Sequence, residues 1–528
     1  MPYVRKLSKD SKSLLAITVL IMIAFIGNLS NRITFPKVNE TAAYSTVTEV
    51  IEEINSDPNE RMLTNPLYER AFPLIKANKE KSEAIKEAFL HAWNAYKDRC
   101  WGEDEYVANG DRCNTYLHAG LTIVDSLTTL YLMNLTTEYQ KAREYIEKDF
   151  RPSGSWSLFE FIIRFVGGFV SMYELTNDKL YLDKAVMCAD AIYPLMGNGI
   201  FGGGVHIGTD GEGKIRASNG GFGGRNVADS STYQLEFISL SMLTGDPKYA
   251  EIAVKTYKHL WDRFKNQGLI PENFNGGRLH VGANIDSYYE YIIKIYVMTR
   301  GVAKNFLKKH LEIVKDIREK LIIHSGKNNY TGLGVYSNGR TDPMQEHLAT
   351  FAGGMIAVGT VKENPNATED LKLADELVTG YAKSYAFTET GVGPERIRFS
   401  RNQDHDFEIE NSEYMLRPES SESVYVMWKF TGLPKFRQFA WNMFNGINKY
   451  ARRDKGFSPI SNVNSQIPSG HGPQHSFFLA ETLKYLYLTF ADTSIVSPSQ
   501  WVFNTEGHPL RIFTQEEAEK LKNILNFE

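Results

Sequence analysis

Cysteine is almost missing from this chain, with 3 in 528 residues. That excludes a disulfide-stapled scaffold. The spacing of Cys100, Cys113 and Cys188 matches no zinc cluster. Cys100 and Cys113 could close a small loop in an oxidising compartment or remain free thiols. An excess of one charge is missing too. Lys and Arg number 59 against 63 Asp and Glu, a net charge of −4 with pI about 6.4, so there is no basic footprint for nucleic acid. From Asn78 to the C-terminus no linker-like stretch interrupts the texture, which argues for one domain there. Only one long apolar run exists, Leu14 to Leu29.

That run falls short of the ~20 residues of a comfortable membrane span but suits a thin bilayer. Arg5, Lys6, Lys9 and Lys12 precede it, and no small-x-small cleavage site lies near Ile26–Asn31. We expect an uncleaved signal anchor with a cytosolic N-terminus; a cleaved signal peptide is the alternative. The expected layout is a cytosolic tail at 1–13, a transmembrane anchor at 14–29, a polar stem at 30–77 and a domain at 78–528. Sequons at Asn39, Asn134, Asn329 and Asn366 fit a body in the secretory lumen.

The domain reads as helix after helix. Apolar residues recur three and four apart near 79–97, 119–134, 136–148, 156–175, 178–194, 228–244, 246–265, 285–300, 302–323, 347–361, 369–386, 419–431, 433–450 and 476–490. The turn from Thr244 (Thr-Gly-Asp-Pro-Lys-Tyr) nearly repeats from Thr431 (Thr-Gly-Leu-Pro-Lys-Phe), and a third version begins at Thr176. A recurring unit signals a repeat architecture. We expect an all-α closed toroid of paired helices, with an open α-solenoid as the alternative. The stretches 194–227 and 388–417 are expected as long loops at its mouth.

Acids sit where apolar helices should exclude them. Glu419 follows Leu416–Arg417–Pro418 and precedes an apolar run; Pro418 suits a first helical turn, which favours a charged carboxylate. Glu422 is three residues on. Glu160 and Arg164 stand one turn apart in another apolar helix and can pair. That pairing favours the ionised carboxylate, so a proton-donating role for Glu160 needs an opposing influence. Asp125, Glu236, Glu290 and Glu481 are further acids in apolar or aromatic surroundings, and Glu346 opens an apolar helix beside His347. Each alone reads as a cap or a local ion pair. Together, on separate repeats, they suggest one cavity lined by carboxylates.

Strings carrying these acids resemble the class I α-mannosidases, glycoside hydrolase family 47. They are Trp101–Glu105, Gly120–Asp125, the Glu160–Arg164 helix, Asp286–Tyr291, His347–Leu348, Leu416–Glu419, Ser476–Leu486 and Phe503–Glu506, in the family's order over about residues 80–512. The resemblance implies a sevenfold (α/α)7 barrel behind a type II anchor, in the ER or Golgi. It implies bound Ca²⁺ and inverting removal of α-1,2-linked mannose from N-linked high-mannose glycans. Glu160 matches the general acid, acting through a water, Glu419 the general base, and Glu346 a third acidic position. Thr505 matches the calcium ligand and Phe477 an aromatic floor. Arg164, Glu236, Glu395, Arg417, Glu422 and Glu481 match positions that bind sugar or calcium-held water. The departures are Thr350 where the family has a disulfide cysteine, Ser420–Ser421 after Glu419, His475 before Ser476, Glu346 for Asp, and Gly507. The last is similar to the degradation-enhancing mannosidase-like branch. The alternative function is accordingly a mannose-binding quality-control lectin with weak or no turnover.

Overall fold

The three related turns do the same job. Thr176, Thr244 and Thr431 each end a helix, and each hydroxyl donates to the carbonyl four residues back, at 2.6–2.7 Å. Each also accepts the amide two residues on, at 3.2 Å. Asn177, Gly245 and Gly432 follow with φ of 58°, 74° and 67°. A left-handed residue is required there to reverse the chain, which explains Gly or Asn at this position.

The structure, a computed structural model, describes residues 77–527 except 198, 202, 222–225, 266 and 493. Among the described residues these reversals and their equivalents build six helical hairpins, and a seventh pair closes the ring. Leu121–Leu132 pairs with Thr136–Lys148, Gly167–Thr176 with Lys179–Ile192, and Gln234–Thr244 with Lys248–Arg263. Asp286–Met298 pairs with Lys304–Lys320, Ala352–Val358 with Ala367–Phe387, and Glu419–Thr431 with Pro434–Tyr450. Leu483–Phe490 returns to the first helix, Lys79–Cys100, and the inner helices close a ring. This is the (α/α)7 barrel. The open solenoid is excluded because the last repeat packs on the first.

Inner and outer helices differ as burial requires. Leu483–Phe490 and Ala352–Val358 are buried along their whole length. Lys248–Arg263 and Lys304–Lys320 bury one stripe and leave charges outside. The barrel axis is therefore enclosed by apolar helices, and any acid on them is buried.

Two of the expected mouth loops contain sheet. Gly204–Thr209 and Ile215–Asn219 form a three-stranded sheet with Gly154–Ser157. Arg396–Phe399 and Phe407–Asn411 form another with Met344–Glu346. Such strands are too short to show a periodic pattern. Glu346 thus closes a strand instead of opening a helix. A further hairpin, Trp501–Phe503 with Pro509–Arg511, packs against the inner helices Asp286–Met298, Gly167–Thr176 and Gln234–Thr244.

Cys100 and Cys113 are disulfide-bonded, tying the first helix to the hairpin that follows it. Cys188 is buried and free. Among the described residues no helix is long and apolar enough to cross a membrane. The expected anchor at 14–29 and nearly all of the stem lie outside the described residues. Asn134, Asn329 and Asn366 are exposed.

Candidate active site

The turn of the last hairpin is built rigidly. The Asn504 amide donates to the Ile163 carbonyl (2.9 Å) and to Glu236 (2.8 Å), while its oxygen accepts the Glu506 and His508 amides. Gly507 has φ of 67°, and a β-carbon there would come within 3.0 Å of Glu481. A β-carbon on Gly167 would sit 2.5 Å from the Asn504 amide, so glycine lets the helix meet the turn. The result presents Thr505 to a cavity of about 250 Å³. That is near the lower end of the ~300–1,000 Å³ of small-molecule pockets, a size suited to one sugar ring.

Arg164 organises one wall. It donates to Glu160 (2.8 Å), Asp125 (2.9 Å) and Ser476 (2.9 Å), and it pairs with Glu506. It lies on a π-helical turn, Ile162–Val166; a second such turn, Phe478–Thr482, carries Glu481. Single π turns commonly mark functional sites, since the extra residue re-aims a side chain. One guanidinium is thus shared among three carboxylates. Asp229 also lines the cavity, and the Glu160 charge adds to burial in raising its pKa.

Glu419 heads the Glu419–Thr431 helix, with Pro418 as the cap residue. Leu416 takes φ of 65°, a costly conformation for a branched apolar residue, just where the chain turns into that helix. The Thr482 hydroxyl holds its carbonyl at 2.7 Å. His347 Nδ1 lies 2.7 Å from Glu419 Oε2, and Nε2 lies 2.7 Å from the Tyr385 hydroxyl. Burial pushes the Glu419 carboxyl up. The His347 hydrogen bond and charge, with Arg417, outweigh it and hold Glu419 below its ordinary value.

The remaining acids behave oppositely. Burial raises Asp286 to about 8, with Glu290 and Glu419 adding to it. Glu422 rises to about 7 through burial, against the pull of Lys294. Glu481 is pushed well up by burial and by other acids, and Glu506 by burial against the pull of Arg164. Lys294 is buried between Glu290 and Glu422. Lys484, which donates to the Gly507 carbonyl, is driven down to about 7 by burial. Among the described residues neither Asp286 nor Glu481 has an ion-pair partner. This wall is short of positive charge.

A cation is the natural remedy, and the donors here are oxygens. Histidine, cysteine and methionine are absent from the residues lining the cavity. Such a set suits a hard ion such as Ca²⁺. Among the described residues no three His, Cys, Asp or Glu side chains cluster closely enough to hold a metal directly. Nor does any hydrogen bond among them occupy the Thr505 hydroxyl or carbonyl oxygen; only its amide is placed, 3.2 Å from the Tyr291 hydroxyl. The residues fit an ion taken by Thr505 oxygens, with acids lining the same cavity.

Of the residues singled out in the sequence, Glu160, Arg164, Glu290, Arg417, Glu419, Glu422, Phe477, Glu481 and Thr505 line this one cavity. Asp125, Glu236, Glu346 and Glu395 do not; Asp125 is held behind it by Arg164 and Ser476. Glu236 lies beneath it, bonded to Tyr291 (2.6 Å) and Asn504, and burial raises it to about 7. Glu395 stands behind Arg417, accepting from it at 2.6 Å. Glu346 accepts the Ala283 amide (3.2 Å) and pairs with Arg396 (3.4 Å), off the lining because the strand ending at Glu346 directs it to the Gly282–Ala283 turn. Asp286 takes a lining position instead, with Asp229, Glu290 and Glu506. Asp286 was within a quoted string, and its place at a helix start before Tyr288 and Tyr289 was the available signal. Asp229 carried none.

A profile of glycosyl hydrolase family 47 matches residues 88–512. The chain is 34% identical to a mannosyl-oligosaccharide 1,2-alpha-mannosidase of Arabidopsis thaliana, over 92% of this chain and 87% of that one. It is 35% identical to the human mannosyl-oligosaccharide 1,2-alpha-mannosidase IB, over 82% and 70%. The fold is similar to an alpha-1,2-mannosidase from Trichoderma reesei, with a TM-score of 0.76 and 26% identity, covering 83% of this chain and all of that one.

Proposed function

The chain belongs to glycosyl hydrolase family 47, and from that premise we propose that it is a calcium-dependent α-1,2-mannosidase that trims N-linked high-mannose glycans with inversion. The observation that carries this reading is that Glu419, held below its ordinary value by His347 and Arg417, and the Arg164–Glu160 pair line one sugar-sized cavity.

Glu419 removes a proton from a water. That water's oxygen bonds to the anomeric carbon as the glycosidic C–O bond breaks. The leaving oxygen receives a proton that originates at Glu160 and passes through a second water. Inversion needs the two carboxyls far enough apart to admit the attacking water. Phe477 gives the ring an apolar face; its contact with the Arg164 guanidinium, 5.9 Å to the ring centre, fixes its place. Thr505 would hold Ca²⁺ through its hydroxyl and carbonyl oxygens, with Glu422 and Glu481 bonding to the ion's waters. When bound, the ion offers coordination positions to sugar hydroxyls and supplies the missing positive charge.

The site of action we propose is the lumen of the ER or Golgi, behind an anchor at 14–29. The Cys100–Cys113 disulfide and the exposed Asn134, Asn329 and Asn366 support it. One relative carries the name endoplasmic reticulum mannosyl-oligosaccharide 1,2-alpha-mannosidase, in Homo sapiens.

The test is mannose release from an α-1,2-linked mannobiose by the full chain, with chelator and then with Ca²⁺ restored. Release that stops with chelator and returns with Ca²⁺ is expected. Binding without release would replace this reading with the lectin; release indifferent to chelator would remove the metal from it.

A further inference from the structure

Thr505 stands between two peptide groups, and a hydrogen bond pins each of them. Its own amide donates to the Tyr291 hydroxyl at 3.2 Å. The next amide, of Glu506, donates to Asn504 Oδ1 at 3.0 Å. Both pins end on one atom. The Tyr291 hydroxyl donates to Glu236 Oε1 at 2.6 Å, and the Asn504 side-chain amide donates to the same oxygen at 2.8 Å. Tyr291, Glu236 and Asn504 are fully buried.

The direction of each bond is set without reference to charge. A backbone amide can only donate, so the Tyr291 oxygen accepts from Thr505 and its single hydrogen goes to Glu236. Asn504 meets the Glu506 and His508 amides with Oδ1, so its nitrogen faces Glu236 and the Ile163 carbonyl. Glu236 Oε1 accepts whether the group is charged or neutral. Its Oε2 has no hydrogen-bond partner among the described residues and is the oxygen left to carry a proton.

We propose that Tyr291 and Glu236 are positioning residues for calcium: with Asn504 they fix both peptide planes around Thr505 and so hold its carbonyl and hydroxyl oxygens ready for the ion. The proposal rests on the reading of Thr505 as the calcium ligand.

Peptide geometry carries the argument to the carbonyl. In a planar trans peptide the C=O and N–H point in opposite directions. The Glu506 N–H points at the buried Asn504 side chain, so the Thr505 carbonyl points away from it. The turn's own backbone closes only through the Asn504 amide to the His508 carbonyl (3.0 Å) and the Gly507 amide to the Asn504 carbonyl (3.1 Å). Tyr291 and Glu236 add a clamp from two inner helices, Asp286–Met298 and Gln234–Thr244. Apolar side chains would join those helices to the turn without the cost of a buried carboxyl. What the carboxyl adds is one point where two donors converge, and those donors are the two handles of Thr505.

The experiment measures Ca²⁺ affinity by isothermal titration of the chelator-stripped full chain. Tyr291→Phe keeps the ring and removes the acceptor of the Thr505 amide. It should weaken Ca²⁺ binding by about tenfold, the scale of one hydrogen bond's worth of lost preorganisation. Its kcat on α-1,2-mannobiose should return at raised Ca²⁺. Glu236→Gln keeps an acceptor oxygen in place and should bind Ca²⁺ within about threefold of the parent. Glu236→Met has none and should be at least as weak as Tyr291→Phe. A role in packing alone would move melting temperature in chelator without this order of affinities. Unchanged Ca²⁺ affinity in Tyr291→Phe, beside a weakened Thr505→Ala, would overturn the proposal. So would Glu236→Gln as weak as Glu236→Met, because Glu236 would then act through its charge. Should Tyr291→Phe lose its fold, the two Glu236 variants decide. Unchanged affinity in Thr505→Ala would refute the ligand assignment instead.

Discussion

Two walls of one cavity treat carboxylates in opposite ways. On the first, Glu419 is buried yet held below its ordinary pKa, because His347 and Arg417 answer its charge. On the second, Asp286, Glu422 and Glu481 are pushed upward by burial. Burial is common to both, so burial does not decide the protonation state. The local supply of positive charge does. The first wall carries its own, as suits the role of base we propose for Glu419. The second is left in deficit, and we read the deficit as room for a cation.

Removing the charge of the first wall should have the largest effect. Glu419→Gln should lower kcat by about 10²–10⁴-fold, the range for loss of a general base, with mannobiose binding kept. Isothermal titration of the variant, beside its turnover, checks both halves. Near-normal turnover would erase the contrast between the walls.

Thr505→Ala should come next. It removes one oxygen from the second wall and should weaken Ca²⁺ binding by about tenfold or more, as loss of a coordinating ligand does. Activity should return at higher Ca²⁺. Titration of the chelated protein with Ca²⁺, following turnover, measures this.

The third prediction concerns pH and stability. Asp286 and Glu422 have folded values of about 8 and 7, above their ordinary ones. The metal-free fold therefore binds more protons than the unfolded chain between roughly pH 4 and 8. Stability from these groups is complete below their ordinary values and is lost as pH rises through 7 to 8. Added Ca²⁺ should raise the melting temperature more at pH 7.5 than at pH 5.5. An equal rise at both would break the link between the raised acids and the ion.

Glu174 is the control, and its effect should be smallest. Outside the cavity lining, burial pushes this carboxyl up to about 8, with one oxygen accepting the Arg511 amide. It has no cation to wait for. Glu174→Gln should raise the melting temperature by about 1–3 °C at pH 8 and hardly at all at pH 5, with activity unchanged. A Ca²⁺-dependent change in this variant would mean that the raised acids of the second wall are not special.

Much of this was legible in the chain. The helices were, because inner ones are apolar throughout and outer ones striped, and both patterns repeat. The three Thr turns were, because a left-handed position tolerates few residues. Glu419 and Glu160 stood out as acids in apolar runs. Glu346 did not fall on the lining because a three-residue strand, invisible to periodicity, sets its direction. Asp229 could not be found at all: it sits in a five-residue helix, Val227–Ser231, with no pattern of its own. The π turns under Arg164 and Glu481 were equally hidden, since one extra residue in a helix leaves no mark on composition. The hydrogen bonds from His347 to Glu419 and Tyr385 join residues 347, 385 and 419, a connection that only the fold makes.

The central claim is that two carboxyls lining one cavity, Glu160 and Glu419, hydrolyse the bond in one displacement. Proton NMR of the mannose released in the first minutes of reaction tests it most directly. The account predicts β-mannose as the first product from an α-1,2-linked substrate, equilibrating later; α-mannose appearing first would contradict it.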